Sequence, residues 1–373
     1  KEQLYAIHAL QLSVNQLNAY LRQHSTETHA CAVEERIVAA LKNTLDIVWN
    51  NWENPVTNIS DRVREVFQSI MDAHESLSTA GKQILNLEEL SSFLLHTDWN
   101  RKGKYTCLNT LLPMIGVEKF FQISTNLLGD VLNVMDNISV STPASQFYAD
   151  ISSMLLTNIA HTQGKKKTYP EDKLAQWRVK CVHPLVDAMC VARSKNLRQR
   201  IIMYPVVKVA KLHPETMTYI LKLLHERSQK TTDIHVASRC IKSLAHLLML
   251  SKRSKIAPVH VIEQYYEILE ETFLHADEDV RTHSIEAITA SAKSSVSPSE
   301  RELEMAHRFM EANLRNCPSS YRTRLVEIFR KFFVRVRDSS RNIFVRYNKA
   351  NMEKCLYTNE TATIKNLQAS KAD

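Results

Sequence analysis

The chain is patterned for helices from end to end. Apolar residues recur at a spacing near 3.6 in about sixteen segments of roughly 12 to 20 residues, separated by short polar turns, and no strand-like alternation competes. Leu108, Leu111, Leu112 and Ile115 form one stripe; Leu325, Ile328, Phe329, Phe332 and Val336 form another. A helix with one apolar stripe must bury it against a neighbour, so the succession predicts stacked helices.

A longer period lies over the first. Val236, Ile241 and Leu244 align with Val280, Ile285 and Ile288, and these with Tyr321, Val326 and Phe329, at offsets of 44 and then 41 residues. The first helix of each unit starts near a proline, Pro214, Pro258 or Pro298. In Ser297-Pro298-Ser299-Glu300 the reading is an N-cap serine, a proline in the first helical position and a glutamate three residues after the cap. Asp277-Glu278-Asp279-Val280-Arg281 places acids where the positive end of a second helix would sit. Two helices per 40 to 47 residues is the signature of HEAT and armadillo arrays, so the expected fold is an all-α, HEAT/armadillo-like α-solenoid of antiparallel helix pairs. The expected division is 1–163 as irregular helical repeats, 164–170 as an exposed basic loop, 171–357 as HEAT-like repeats clearest from 214, and 358–373 as a disordered tail. The loop, Gly164-Lys165-Lys166-Lys167-Thr168-Tyr169-Pro170, reads as an insertion whose lysines are solvated, with an acidic partner as the alternative.

Composition agrees with this reading. Five Gly and ten Pro in 373 residues are too few for the turns of a sheet protein, while 44% hydrophobic residues supply a core. The most apolar run, Leu244 to Leu250, is broken by His246 and falls far short of the ~18 residues of a membrane span. The chain opens on Lys1 with no signal-peptide pattern and reads as a segment of something longer. Seven cysteines occur singly, which reads as reduced thiols in the cytosol or nucleus, and a cytoplasmic location is expected. Three Asn-x-Ser/Thr sequons, at Asn58, Asn137 and Asn359, are attributed to chance.

Catalytic signatures do not emerge. The chain has no glycine-rich phosphate loop, no His-Glu-x-x-His, no Gly-x-Ser-x-Gly and no Cys-x-x-Cys. Cys181-Val182-His183 with Cys190 is the nearest approach to a metal set, but nine residues on a helix fall half a turn out of phase. Scattered histidines and adjacent pairs such as Glu34-Glu35 and Glu270-Glu271 read as solvated faces. No catalytic residue, metal site or cofactor is therefore assigned.

Charge does stand out. Between Arg315 and Lys349 lie ten Lys or Arg against Glu327 and Asp338, a local balance of +8 that equals the net charge of the whole chain. A helix from about Ser320 would leave Arg330, Arg337 and Arg341 on one outer face. A cationic stripe rich in arginine suits a polyanion, most simply nucleic acid; pairing with an acidic segment elsewhere is the alternative. The candidate contacts are Arg322, Arg324, Arg330, Lys331, Arg335, Arg337 and Arg341. Lys102, Lys104 and Tyr105 join them, since cation beside aromatic is common in RNA contact, although Tyr105 could equally be core.

Several stretches carry a family resemblance: Trp49-Asn50-Asn51-Trp52-Glu53-Asn54-Pro55-Val56, Asp98-Trp99-Asn100-Arg101-Lys102-Gly103-Lys104-Tyr105-Thr106-Cys107-Leu108, Gly116-Val117-Glu118, Trp177 with His183-Pro184-Leu185, and the run from Asp279-Val280-Arg281 to Phe332. In these the chain resembles the thyroid adenoma-associated (THADA) proteins, which include the fungal regulatory subunit of the tRNA anticodon-loop ribose 2′-O-methyltransferase. The resemblance implies a non-catalytic helical scaffold whose partner is the tRNA 2′-O-methyltransferase catalytic subunit, with tRNA as a second partner. The family's Arg-Arg-Ser-Ala-Gly type run is absent, so this would be a central or upstream segment. The alternative is a HEAT-type adaptor that binds a protein cargo or an acidic partner without touching RNA. From the residues alone, Trp52 and Pro55 are expected to set the approach to a helix carrying Val63, Val66, Phe67 and Ile70.

Overall fold

The computed structural model describes residues 2–23, 31–54, 56–78, 85–163, 166–313 and 318–336. It is all helical apart from one small hairpin, and it divides into two compact units, Lys1–Ala188 with Arg193–Val209 and Met189–Ala192 with Ala210–Asp373. The expected tail at 358–373 lies outside the described residues.

The first unit begins with α1 (Glu2–Gln23), α2 (Cys31–Asn51) and α3 (Thr57–Ser78). Both α1 and α2 pack on α3, where Val63, Val66, Phe67 and Ile70 are buried as their spacing requires. Then come α4 (Leu87–His96), α5 (Lys102–Ile115), α6 (Val117–Ile123), α7 (Leu127–Asn133) and α8 (Ile138–Asn158), with α3 packed on α5 and α5 on α8. Two three-residue strands, β1 (His161–Gln163) and β2 (Lys166–Thr168), pair antiparallel where a plain loop was expected. Strands this short leave no alternation for a sequence to display. The remaining elements are α9 (Glu171–Cys181), α10 (His183–Val191), whose residues from Met189 on belong to the second unit, α11 (Lys195–Ile201) and α12 (Val207–Ala210), the last two joined by one π-helical turn around Pro205. Proline has no N–H for the regular ladder, which makes a widened turn cheap there.

The second unit shows the long period directly. Its helices are α13 (Thr216–Lys230), α14 (Ile234–Ser254), α15 (Val259–Glu263), α16 (Tyr266–Glu271), α17 (Glu278–Thr289), α18 (Glu300–Asn313) and α19 (Ser319–Phe333). The second helices α14, α17 and α19 stack in that order, and α13, α16 and α18 cover them from the side. Their N-caps are Asp233, Asp277 and Pro318, which reproduces the offsets of 44 and 41. Asp233 accepts from the backbone N–H of His235 and Val236, and Asp277 from that of Asp279. Lys242 of α14 reaches the Asp277 cap at 2.5 Å, which ties one repeat to the next. Val280, Ile285 and Ile288 are buried, as are Tyr321 and Phe329. Val326, aligned with Ile285, is 59% exposed.

The capping box of α18 sits two residues later than the sequence reading placed it. Ser299 Oγ accepts from Glu302 N at 3.2 Å, and Glu302 Oε2 accepts from Ser299 N at 3.2 Å. Glu302 does more than close that box. Its Oε1 accepts from Lys252 Nζ of α14 at 2.6 Å and Tyr266 Oη of α16 at 3.3 Å, and its Oε2 from Arg335 Nη2 at 3.1 Å. One buried carboxylate thus joins three successive repeats. Burial pushes the Lys252 ammonium below its ordinary pKa, with Glu302 opposing that shift. Removing the carboxylate in Glu302→Ala leaves two buried cations uncompensated, so stability should fall by about 3–5 kcal/mol in denaturant unfolding. A loss under about 1 kcal/mol, the value of a surface pair, would show that the network is dispensable.

Candidate nucleic-acid interface

The distinctive stretches around residues 52 and 103 form one packed structure. Trp49 and Trp52 stack with ring centroids 4.4 Å apart, and the Trp52 indole lies against the Cα of Gly103, where an added Cβ would sit 1.3 Å from Nε1. Gly103 N donates to Glu53 Oε1 at 3.1 Å, and Asp98 Oδ1 accepts from Asn100 N in the turn between α4 and α5. Pro55 lies outside the described residues.

Lys104 and Tyr105, expected as RNA contacts, are both fully buried. Lys104 Nζ donates to the carbonyls of Leu95 (3.1 Å) and Thr97 (2.6 Å) at the end of α4 and sits 3.3 Å above the Trp99 ring. Tyr105 Oη donates to Trp99 O at 2.7 Å. Cation and aromatic here satisfy a helix C-terminus and a turn, which corrects their assignment to RNA. Burial brings the Lys104 pKa down to about 7 and raises that of Tyr105. Lys102, the first residue of α5, is exposed.

The remaining stretches are structural in the same way. Trp177 Nε1 donates to Ser152 O at 2.8 Å, while Leu185 is buried. Arg281 lies with its guanidinium carbon 5.0 Å from the centre of the Tyr321 ring and donates to the carbonyls of His275 and Ala276.

Helix α19 buries Leu325, Phe329 and Phe332 and exposes Arg322, Arg324, Arg330 and Lys331. It ends earlier than the apolar pattern suggested. Arg335 N bonds to Phe332 O and Val336 N to Phe333 O, a tightened last turn that swings Arg335 inward. Arg335 is only 5% exposed; its Nε donates to Val296 O at 2.9 Å and its Nη1 to Thr289 O at 2.6 Å. It caps the carbonyl end of α17 and pairs with Glu302, so it is removed from the solvent-facing set. Arg324 bonds to Asp279 of α17 at 3.0 Å. Arg337 and Arg341 lie outside the described residues.

What the sequence did not reveal is a cleft of about 410 Å³ beside α19. Arg324 and Lys331, two turns apart, face it together with Arg253 from the end of α14 and Lys293 from the turn after α17. Glu286 and Glu327 share its wall. Arg253, in the basic run Lys252-Arg253-Ser254-Lys255, and Lys293 lie far from Lys331 along the chain, and the stacking of three repeats brings them to it. Arg330 is not among the lining residues.

Reactive chemistry is subdued elsewhere. Cys190 and Cys240 place their Sγ atoms 3.2 Å apart in the second unit, and both are buried. Burial holds Cys107 well above the ordinary thiol pKa and pushes Cys181 up to about 12, so these thiols stay protonated. Among the described residues no three His, Cys, Asp or Glu side chains gather as a metal set, and no helix is long and apolar enough to cross a membrane.

Stacked helix pairs joined by buried ion pairs and caps, with cations from separate repeats meeting in one cleft, define a helical-repeat solenoid. The chain belongs to the family described as Trm732, TPR repeats, whose sequence model matches residues 179–372, just over half of it. It is also similar to the tRNA (32-2'-O)-methyltransferase regulator THADA of Gallus gallus, 24% identical over 322 residues and 83% of this chain. The proteins of the same name from Mus musculus and Homo sapiens are each 24% identical, over 81% and 80% of the chain. The chain spans 16% of the length of each of these relatives.

Two outcomes test the structural role of the distinctive stretch. Gly103→Ala drives a methyl group into the Trp52 indole and should cost about 1–3 kcal/mol by thermal or denaturant melting. An unaffected melt would mean that the indole moves aside freely. For Lys104 the folded pKa of about 7 lies below the 10.5 of the free side chain, so the unfolded chain holds the proton more tightly. Stability relative to Lys104→Met should therefore be lowest below pH 7 and rise as the pH climbs from 7 toward 10. A flat difference across that window would show that Lys104 titrates as a solvated amine.

Proposed function

We propose that the chain is a non-catalytic repeat segment of a regulator that helps a separate tRNA ribose 2′-O-methyltransferase engage the tRNA anticodon loop. The observation that carries this reading is membership of the Trm732 repeat family together with relatives named as regulators of that methyltransferase. The structure is compatible in kind. The distinctive side chains are spent on caps and packing, burial raises the thiol pKa of Cys107 and Cys181, and the cleft beside α19 carries an excess of cations. We read the helix pairs as HEAT/armadillo-like, because offsets of 44 and 41 exceed the 34 residues of a TPR unit. The setting is taken to be the cytoplasm. Arg322, Arg324, Arg330, Lys331 and Lys102 are the members of the expected RNA-binding set that reach solvent in the structure.

A second reading has one observation in its favour. A larger groove of about 700 Å³ in the same unit is lined by Ile256, Pro258, Val259, Ile262, Ala292 and Val296. Apolar lining of that size suits a protein segment and favours the adaptor.

The two separate in a reconstitution. Mixed with S-adenosylmethionine and tRNA the chain alone should transfer no methyl group, whereas immobilised chain should retain the purified methyltransferase subunit. Robust turnover by the chain alone, or no retention of the subunit, would remove the regulatory reading.

A further inference from the structure

We infer that the cleft across α14, α17 and α19 is a clamp for the phosphodiester backbone of RNA, with Arg253, Lys293 and Lys331 as its contacts. This rests on the regulatory reading above and gives it a site.

Each of the three cations is exposed, and none makes an ion pair among the described residues. They come from three successive repeats, so they stay together only while the repeats are stacked. Helix C-termini disfavour anions, and both α14 and α17 end near this cleft. At the end of α17 that penalty is already met. Lys252 Nζ holds the carbonyl of Ile288, and Arg335 Nη1 lies within hydrogen-bond range of those of Thr289 and Ala290. Lys252 and Arg335 also carry one more positive charge than their partner Glu302. The free cations are thereby left for a ligand.

The lining argues for phosphate rather than for a peptide. Apart from Ala290 and Ile328 it consists of charged groups, serines and a threonine, whereas a peptide site needs apolar contact. Arginine forks match phosphate oxygens, and the Ser294 hydroxyl suits the same acceptors. Glu286 and Glu327 restrict where a phosphate can sit and repel acidic side chains equally. Contacts of this kind place a strand without reading its bases.

The test uses the full chain and Arg253→Ala/Lys293→Ala/Lys331→Ala, titrated with tRNA, a scrambled RNA of equal length and a polyglutamate peptide. The expected result is weaker binding of both RNAs to a similar degree. The slope of log affinity against log salt should fall by about two to three, at roughly 0.7 to 0.9 per lost contact. On raising salt from about 50 to about 200 mM, the unaltered chain should then lose roughly 20- to 40-fold more affinity than the triple variant. The melting temperature should not move, since all three side chains are solvent-facing. If the chain binds RNA and the slope is unchanged by the triple substitution, the cleft is not the site, and the regulatory reading stands on retention of the methyltransferase. Failure to bind RNA even at about 50 mM salt overturns the clamp, as does polyglutamate binding that the triple substitution abolishes while RNA binding is untouched.

Discussion

The second unit depends on one buried carboxylate. Glu302 has four lone-pair directions and all four are used, by Lys252, Tyr266, Arg335 and the backbone of Ser299. A carboxylate withdrawn from water costs several kcal/mol, so it survives in a core only when fully coordinated. Its two cations exceed it by one charge. The orphan carbonyls at the end of α17, which carry the negative end of that helix dipole, supply the balance. Hydrophobic stripes alone would let neighbouring helices slide along one another, since Leu, Ile and Phe fit in more than one register. A carboxylate that must meet three donors from three elements admits one arrangement.

Much of that unit was legible in the chain, because its signals are local. An acid before an apolar-periodic run marks a cap wherever it lies, so Asp277 and the 44- and 41-residue offsets correspond to real helix starts. Where two local signals competed, tertiary structure chose. Ser297 with Glu300 and Ser299 with Glu302 are both plausible capping pairs, and the sequence offers no reason to prefer the second. Lys252 and Arg335 supply it by holding Glu302 in the core.

The site was less legible, for a physical reason. Lysine beside tyrosine is equally the grammar of RNA contact and of a helix end capped by an ammonium over an indole, and burial alone separates them. Lys104 and Tyr105 are on the buried side of that distinction. Arg335 stands with the candidate contacts because it lies in the charge run from Arg315 to Lys349, and charge along the chain does not say which cation turns inward past the end of α19 at Phe333. Nothing local in the sequence ties Arg253 or Lys293 to Lys331, because their proximity is a property of stacked repeats.

The stretches most distinctive by sequence and the residues most available for binding are therefore different sets. Trp52, Gly103, Lys104, Trp177 and Arg281 are engaged with neighbouring side chains or backbone, and a change in any of them acts first through the fold. Arg253, Lys293 and Lys331 make no ion pair among the described residues and can be exchanged at little structural cost. Arg335 and Lys252 stand between the two groups. They face inward, yet by neutralising the α17 carbonyls they set the potential of the cleft that Arg253, Lys293 and Lys331 line. A substitution at Arg335 would consequently weaken anion binding and repeat stacking together, whereas one at Lys293 would act on binding alone.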